Sequence, residues 1–146
     1  MITQYTWPTP NGHKVSILIA ELGLENEVVA VDINKGDQFD PGFLKLSPNN
    51  RIPAIVDHDP ADGGAPVAVF ETGAIMIYLA EKEGRFLPDP NDIRARKSVM
   101  EWLMSRIKRL IVSMGCKVGC VTLYRNVSHP VSQIMKRSAG KVSQAR

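Results

Sequence analysis

Residues 1–115 contain no cysteine, and the two in the chain, Cys116 and Cys120, both fall late. A disulfide framework is therefore not expected. The first two-thirds of the chain also has no sulfur of its own for thiol chemistry. No run of about 18 apolar residues occurs, so no transmembrane helix is expected. The opening "MITQYTWPTP" lacks a basic segment followed by an apolar one, so it does not read as a signal peptide, and a cytoplasmic protein is the expectation. His13, His58 and His129 show no ligand spacing, and no metal is expected. Cys116 and Cys120 would share a helix face if that region were helical, yet no acid or histidine pattern there supports a zinc or redox site.

Acids are missing from one end. Residues 1–104 hold nine of the 18 Lys and Arg and all 15 Asp and Glu, a balance of −6, whereas residues 105–146 hold the other nine bases and no acid, a balance of +9. Such an asymmetry marks two segments of different origin or role. The overall charge of +3 is thus a poor guide to partners. Tyr124 is the one aromatic of the basic tail, and no regular basic face is visible, so neither nucleic acid nor a membrane surface is expected as a partner.

What is present reads as alternating elements. "ITQYTW" (2–7) has strand composition, and "PTPNG" (8–12) is a turn cluster. Val15, Leu18, Ile19 and Leu22 fall on one helix face, and Gly23 follows as a stop. "EVVAVDI" (27–33) reads as a strand covered on both faces. Strand, helix and strand in about thirty residues make a parallel βαβ unit. After the polar loop "NKGDQFDPG" (34–42), "FLKL" (43–46) fits a short helix. Pro53 then opens a short apolar strand, Ala54–Val56, a common place for a residue that cannot donate to a ladder. "VAVF" (67–70) fits its hairpin partner, and "GAIMIYLAEKEG" (73–84) a buried helix with Thr72 as N-cap. A further helix starts after Asp92.

The β-α-β-α-β-β-α order, with a proline opening the third strand, resembles the thioredoxin-like fold. "PTPNGHKV" (8–15), "KGDQF" (35–39), "SPNNRIPAIVDH" (47–58), "ADGG" (61–64), "FETGAI" (70–75) and "YLAEKEGRFLP" (78–88) stand in order and together resemble the N-terminal domain of glutathione transferases, within them the bacterial nu class of glutathione-dependent disulfide-bond oxidoreductases. The resemblance covers residues 1 to about 104. It implies a thioredoxin-like glutathione-binding domain over 1–84, a linker over 85–91, and over 92–146 the start of an incomplete all-helical domain with a divergent basic tail.

The same resemblance implies a site. Read alone, Pro53 fits a trans proline at a strand start; the resemblance makes the Ile52–Pro53 bond cis and gives the Ile52 backbone to the cysteinyl backbone of glutathione. Thr72 would hold the γ-glutamyl carboxylate at a helix N-terminus, and Glu71 the α-ammonium. Gln38 would contact glutathione at its glycyl end or across a dimer, and Arg51 its glycyl carboxylate. Thr9 and Asn11 would hold the glutathione thiolate, the catalytic device in a chain without its own cysteine there. Taken without the resemblance, "PTPNG" is a capping turn, Thr72 a plain cap, and Gln38 and Arg51 solvated loop residues. The implied activity is transferase or disulfide-bond oxidoreductase chemistry on a disulfide or an electrophile, with glutathione as cosubstrate and a homodimer as the assembly. The alternative is a remnant that binds glutathione weakly without turnover.

The pattern is lost after "RARKSVMEWLM" (94–104). The tail's charge, missing acids and absent periodicity fit a reading-frame change or a truncated gene; an intact frame coding folded helices would sink that idea. Without a partner for the helix over 73–84 and for Trp102, Leu103 and Met104, apolar surface is left over, which favours association. The chain is expected to elute from size exclusion as oligomers or to aggregate, and a sharp monomer peak with cooperative unfolding would count against this.

Overall fold

The computed structural model describes residues 1–112, with side chains as far as Ile107. Cys116, Cys120, Tyr124, His129 and most of the basic tail lie outside the described residues. The elements are β1 (Ile2–Thr6), α1 (Pro10–Leu22), β2 (Asn26–Ala30), a 3₁₀ turn (Asp37–Phe39), α2 (Pro41–Leu46), β3 (Ala54–Asp57), β4 (Val67–Phe70), α3 (Thr72–Lys82) and α4 (Ile93–Val112). The four strands form one mixed sheet in the order β2-β1-β3-β4. β1 and β2 run parallel, as a βαβ crossover requires, and β3 and β4 are antiparallel additions. This is the thioredoxin-like arrangement that the element order implied.

Strand alternation sorts the side chains. Ile2 and Ile55 face α1 and α3, where they pack with Val15, Leu18, Ile19, Leu22, Ile75 and Leu79. Tyr5 and Ala54 face the other side, where Val31 and Phe43 of the α2 layer meet them. The four α1 positions read as one apolar face are all buried. Gly23 ends α1 in the left-handed region at φ 74°, where a glycine carries no Cβ penalty.

Two expectations are corrected. The second strand is not covered on both faces. β2 is an edge strand, and Val28 is 59% exposed. Only Val31, just past its end, is buried, because the apolar run overshoots the ladder. The helix read over 73–84 begins at Thr72 and is buried on one face only, through Thr72, Gly73, Ile75, Leu79 and Ala80.

A polar clamp ties α3 to the base of the sheet. Asp57, fully buried, ends β3 on the α3 side. It accepts from Tyr78 Oη at 2.8 Å and from Lys82 Nζ at 2.7 and 2.9 Å, two α3 residues one turn apart. The Asp59 N–H adds a bond at 3.0 Å. Burial pushes the Asp57 carboxyl up. The bonds from Lys82, Asp59 and Tyr78, with the Lys82 charge, outweigh it and hold the carboxyl below its usual 3.8. Burial first, then the bond from its hydroxyl to Asp57, pushes Tyr78 up to about 12.

The second compact unit starts at Pro88. Asp92 caps α4 by accepting from the Ala95 N–H at 3.0 Å, and Lys97 pairs with Glu101 at 2.8 Å. Trp102 and Met104 are exposed. No helix among the described residues is long and apolar enough to cross a membrane.

Removing one partner of a buried ion pair leaves the other uncompensated. Lys82→Met is therefore expected to destabilise by about 3 kcal/mol near neutral pH. A depressed folded pKa gives stability that is present above the unfolded value and lost as pH falls through the folded one. The gap between wild type and Lys82→Met should accordingly shrink below pH ~4 in urea titrations. A gap that stays constant into acid would show that Asp57 is not the group concerned.

Candidate functional site

The pairing register decides which loops meet. Tyr5 of β1 lies opposite Ala54 of β3, and Ala54 lies opposite Phe70 of β4. The exits of β1 and β4 and the entry of β3 therefore share one end of the sheet. The exit of β2 joins them, since the Val31 N–H donates to the Thr6 carbonyl at 3.0 Å. Every residue that the resemblance assigns to glutathione lies in a segment at this end. Thr9 and Asn11 follow β1, Gln38 follows β2, Arg51, Ile52 and Pro53 precede β3, and Glu71 and Thr72 follow β4. The N-termini of α1 and α3 lie there too.

α1 begins on a fixed turn. Thr9 is its N-cap, in extended backbone, and its Oγ1 accepts from the Gly12 N–H at 3.2 Å. The hydroxyl hydrogen stays available to donate outward. Pro10 occupies the first helical position, where no N–H is missed. No acid lies in the first turn, so nothing within it neutralises the helix's positive end. Asn11, half-buried, has its Oδ1 3.0 Å from Lys14 Nζ. Gln4, fully buried in β1, reaches Ser16 Oγ at 2.9 Å and the Gly12 carbonyl at 3.4 Å. This bond set ties the start of α1 to the sheet.

The entry of β3 offers bare backbone. Ladder pairing stops at Ala54. Among the described residues, the Ile52 N–H and C=O take no part in the loop hydrogen bonds. The Ile52–Pro53 peptide is cis. Ile52 is half-buried against the Val31–Phe43–Ala54 cluster, while the Arg51 side chain is exposed. Ser47, fully buried, braces the loop, with Oγ 2.7 Å from both Asn49 Oδ1 and the Arg51 carbonyl.

Glu71, not Thr72, is the N-cap of α3, and it makes no side-chain cap bond. The chain turns one residue earlier than its cap-forming threonine suggests. Glu71 sits at φ 72° and ψ 122°, a region that residues with a Cβ avoid at a cost of about 1–3 kcal/mol. Its Oε1 accepts from Asn49 Nδ2 at 2.5 Å, which joins the α3 start to the β3 entry loop. Thr72 falls within the first turn and is buried. Gln38, on the 3₁₀ turn, is half-buried, and its Oε1 is buried with no hydrogen-bond partner.

Sequence reasoning missed Ser47, Asn49 and Gln4 as supports. Asn49 was legible only as a turn former, because its partner Glu71 lies 22 residues on. A glutamine inside an apolar strand was the available signal for Gln4, since such a residue must find partners when buried. His58 is occupied with Thr3, 2.8 Å from its Oγ1, and no cluster among the described residues could hold a metal ion.

A thioredoxin-like domain without its own cysteine at the α1 turn, presenting a bare strand edge and two helix N-termini at one end, defines the class. The family description "Glutathione S-transferase, N-terminal domain" matches residues 1–81, and the chain belongs to the glutathione S-transferase family. It is 50% identical over 115 residues to the disulfide-bond oxidoreductase YfcG of Escherichia coli, covering 79% of this chain and 53% of that protein. The chain thus spans about half the length of that relative. A Pseudomonas putida glutathione transferase crystallised with one glutathione disulfide per subunit is 44% identical, with a TM-score of 0.68 over 73% of this chain and 45% of that one. A Burkholderia graminis glutathione transferase with two glutathione molecules bound per subunit is 36% identical, with a TM-score of 0.70 over 98% of this chain and 61% of that one.

Gly12 gives a test of the α1 turn. A Cβ there would fall against Thr6 Oγ1 and lie 2.6 Å from the Trp7 carbonyl oxygen. Helix propensity alone would make Gly12→Ala stabilising by roughly 1 kcal/mol. The backbone clash should reverse the sign, giving a loss of about 2 kcal/mol in thermal or urea unfolding. An unchanged or raised stability would mean that the turn yields easily.

Proposed function

We propose that this end of the sheet binds glutathione and presents its thiolate to a disulfide or an electrophile. The observation that carries the reading is the convergence of bare Ile52 backbone, the strained Glu71 and the cysteine-free start of α1 at one edge. Glutathione is an extended tripeptide with two terminal carboxylates, one ammonium and one thiol, and the edge offers a counterpart for each. The Ile52 N–H and C=O pair with its cysteinyl backbone as one more strand would, with Pro53 closing the ledge. The Thr72 N–H and hydroxyl, at the α3 N-terminus, take the γ-glutamyl carboxylate, and the Glu71 carboxylate takes the ammonium. Gln38 and Arg51 serve the glycyl end. The orphaned Gln38 Oε1 is a buried acceptor that a ligand N–H would satisfy.

The sulfur then lies at the start of α1. The Thr9 hydroxyl and the Asn11 amide donate to it, and the helix end favours its anion. A thiolate so held attacks one sulfur of a disulfide, forms a mixed disulfide and releases the other sulfur as thiolate. A second glutathione thiolate resolves the mixed disulfide to glutathione disulfide and frees the remaining thiolate. The relatives' names and the glutathione in their crystals support this class of chemistry. A homodimer and a cytoplasmic setting belong to the same reading.

Calorimetric titration with glutathione and its disulfide, followed by hydroxyethyl disulfide reduction, tests it. Changing Thr9 and Asn11 together to alanine is expected to lower turnover by about 100-fold, the scale of losing hydrogen bonds to an anion, while binding falls less. Turnover equal to wild type in the double variant would remove the catalytic assignment. Binding by the wild-type chain without any turnover would leave a glutathione-binding module only.

A further inference from the structure

Lys14 is the residue in α1 that packing does not explain. It is 8% exposed, and no carboxylate lies within ion-pair distance of it among the described residues. A lysine is almost never fully buried unless paired. It also lies one turn from the N-terminus of α1, the end that disfavours cations. Burial pushes its ammonium pKa down. A methionine or leucine would fill the same space without these penalties.

Among the described residues, the one polar contact of its ammonium is Asn11 Oδ1 at 3.0 Å. An ammonium has three donors and no acceptor, so the amide can face it only through its oxygen. The Asn11 NH₂ is thereby turned away from Lys14 and kept as a donor. Asn11 without that contact is a two-way group, free to offer either its oxygen or its nitrogen. An oxygen facing a thiolate would repel it; a nitrogen binds it.

Resting on the glutathione reading, we infer that Lys14 is a positioning residue that locks the Asn11 amide with its NH₂ toward the glutathione sulfur. Thr9 needs no such lock, because its oxygen accepts the Gly12 N–H and its hydroxyl hydrogen can rotate to donate to the ligand. Of the two donors, the amide is the one whose orientation has to be imposed.

Three readouts test this with the full chain: thermal unfolding, the ultraviolet absorbance of bound glutathione thiolate at fixed pH, and hydroxyethyl disulfide turnover. Lys14→Met should unfold at or above the wild-type temperature, since a buried charge with no carboxylate partner among the described residues has been replaced by a matching apolar stem. It should nonetheless lose about 10-fold in kcat/KM, the scale of one misdirected bond to an anion, and show a weaker thiolate band. Lys14→Arg should restore the band. In an Asn11→Ala background, Lys14→Met should have no more than a two-fold further effect, because it acts through the amide. A Lys14→Met chain that is strongly destabilised, that keeps its thiolate band, or whose loss is undiminished without Asn11 would overturn the inference. Failure of the wild type to bind glutathione would overturn it together with the reading on which it rests. Binding and a thiolate band in the wild type, unaltered in Lys14→Met, would overturn it alone.

Discussion

The register that sets Tyr5 opposite Ala54 and Ala54 opposite Phe70 is the constraint on which the rest depends. A slip of one residue in β3 would turn Ile55 and Asp57 to the α2 side and bring Ala54 and Val56 to α1 and α3. The core and the clamp would fail together. Because β3 is held in this register, its entry, the exits of the other three strands and the first turns of α1 and α3 have to meet at one end. The site is a consequence of the topology before any of its side chains is considered.

Buried polar groups hold that register as firmly as the apolar ones. Gln4 and Asp57 both face the α1–α3 layer, amid isoleucine and leucine. Each is satisfied by a helix rather than by the sheet. Gln4 bonds Ser16 and so locates the start of α1, while Asp57 bonds Tyr78 and Lys82 and so locates the end of α3. An apolar contact tolerates sliding along a helix, but a hydrogen bond does not. One helix is thus pinned near the site and the other at the far end of the sheet. The strained backbone of Glu71 has to be absorbed where α3 meets β4, because Lys82 gives α3 no room to shift.

Much of this was readable in the sequence for a physical reason. Val15, Leu18, Ile19 and Leu22 recur at helical spacing, and Pro53 heads an apolar run between turn formers. Local pattern and turn chemistry carry such features. The edge position of β2 was not readable, since an apolar run does not say whether a second strand will cover it; Val28 is exposed in spite of its type. Thr72 reads as the cap in the sequence because cap propensity is local, whereas in the fold the cap is Glu71, which bonds Asn49 from a distant loop. Asn49 was unreadable as a support for the same reason, and Ser47 and Gln4 give at most a hint of theirs. Each is an ordinary polar residue until the fold supplies its partner.

The cysteine-free start of α1 has a further consequence. A protein that carries its own thiol can tune it from within the chain. On the proposed function, a site that borrows its sulfur must recognise and ionise it in one act of binding. That favours fixed donors over titrating ones, because a donor already oriented loses no entropy when the ligand arrives. The two donors, Thr9 and Asn11, are fixed by the Gly12 N–H and by Lys14, and the one acceptor, Glu71, by Asn49. All three are oriented by neighbours within the protein before any ligand is present. The strain at Glu71 and the buried charge of Lys14 both disfavour the unliganded fold.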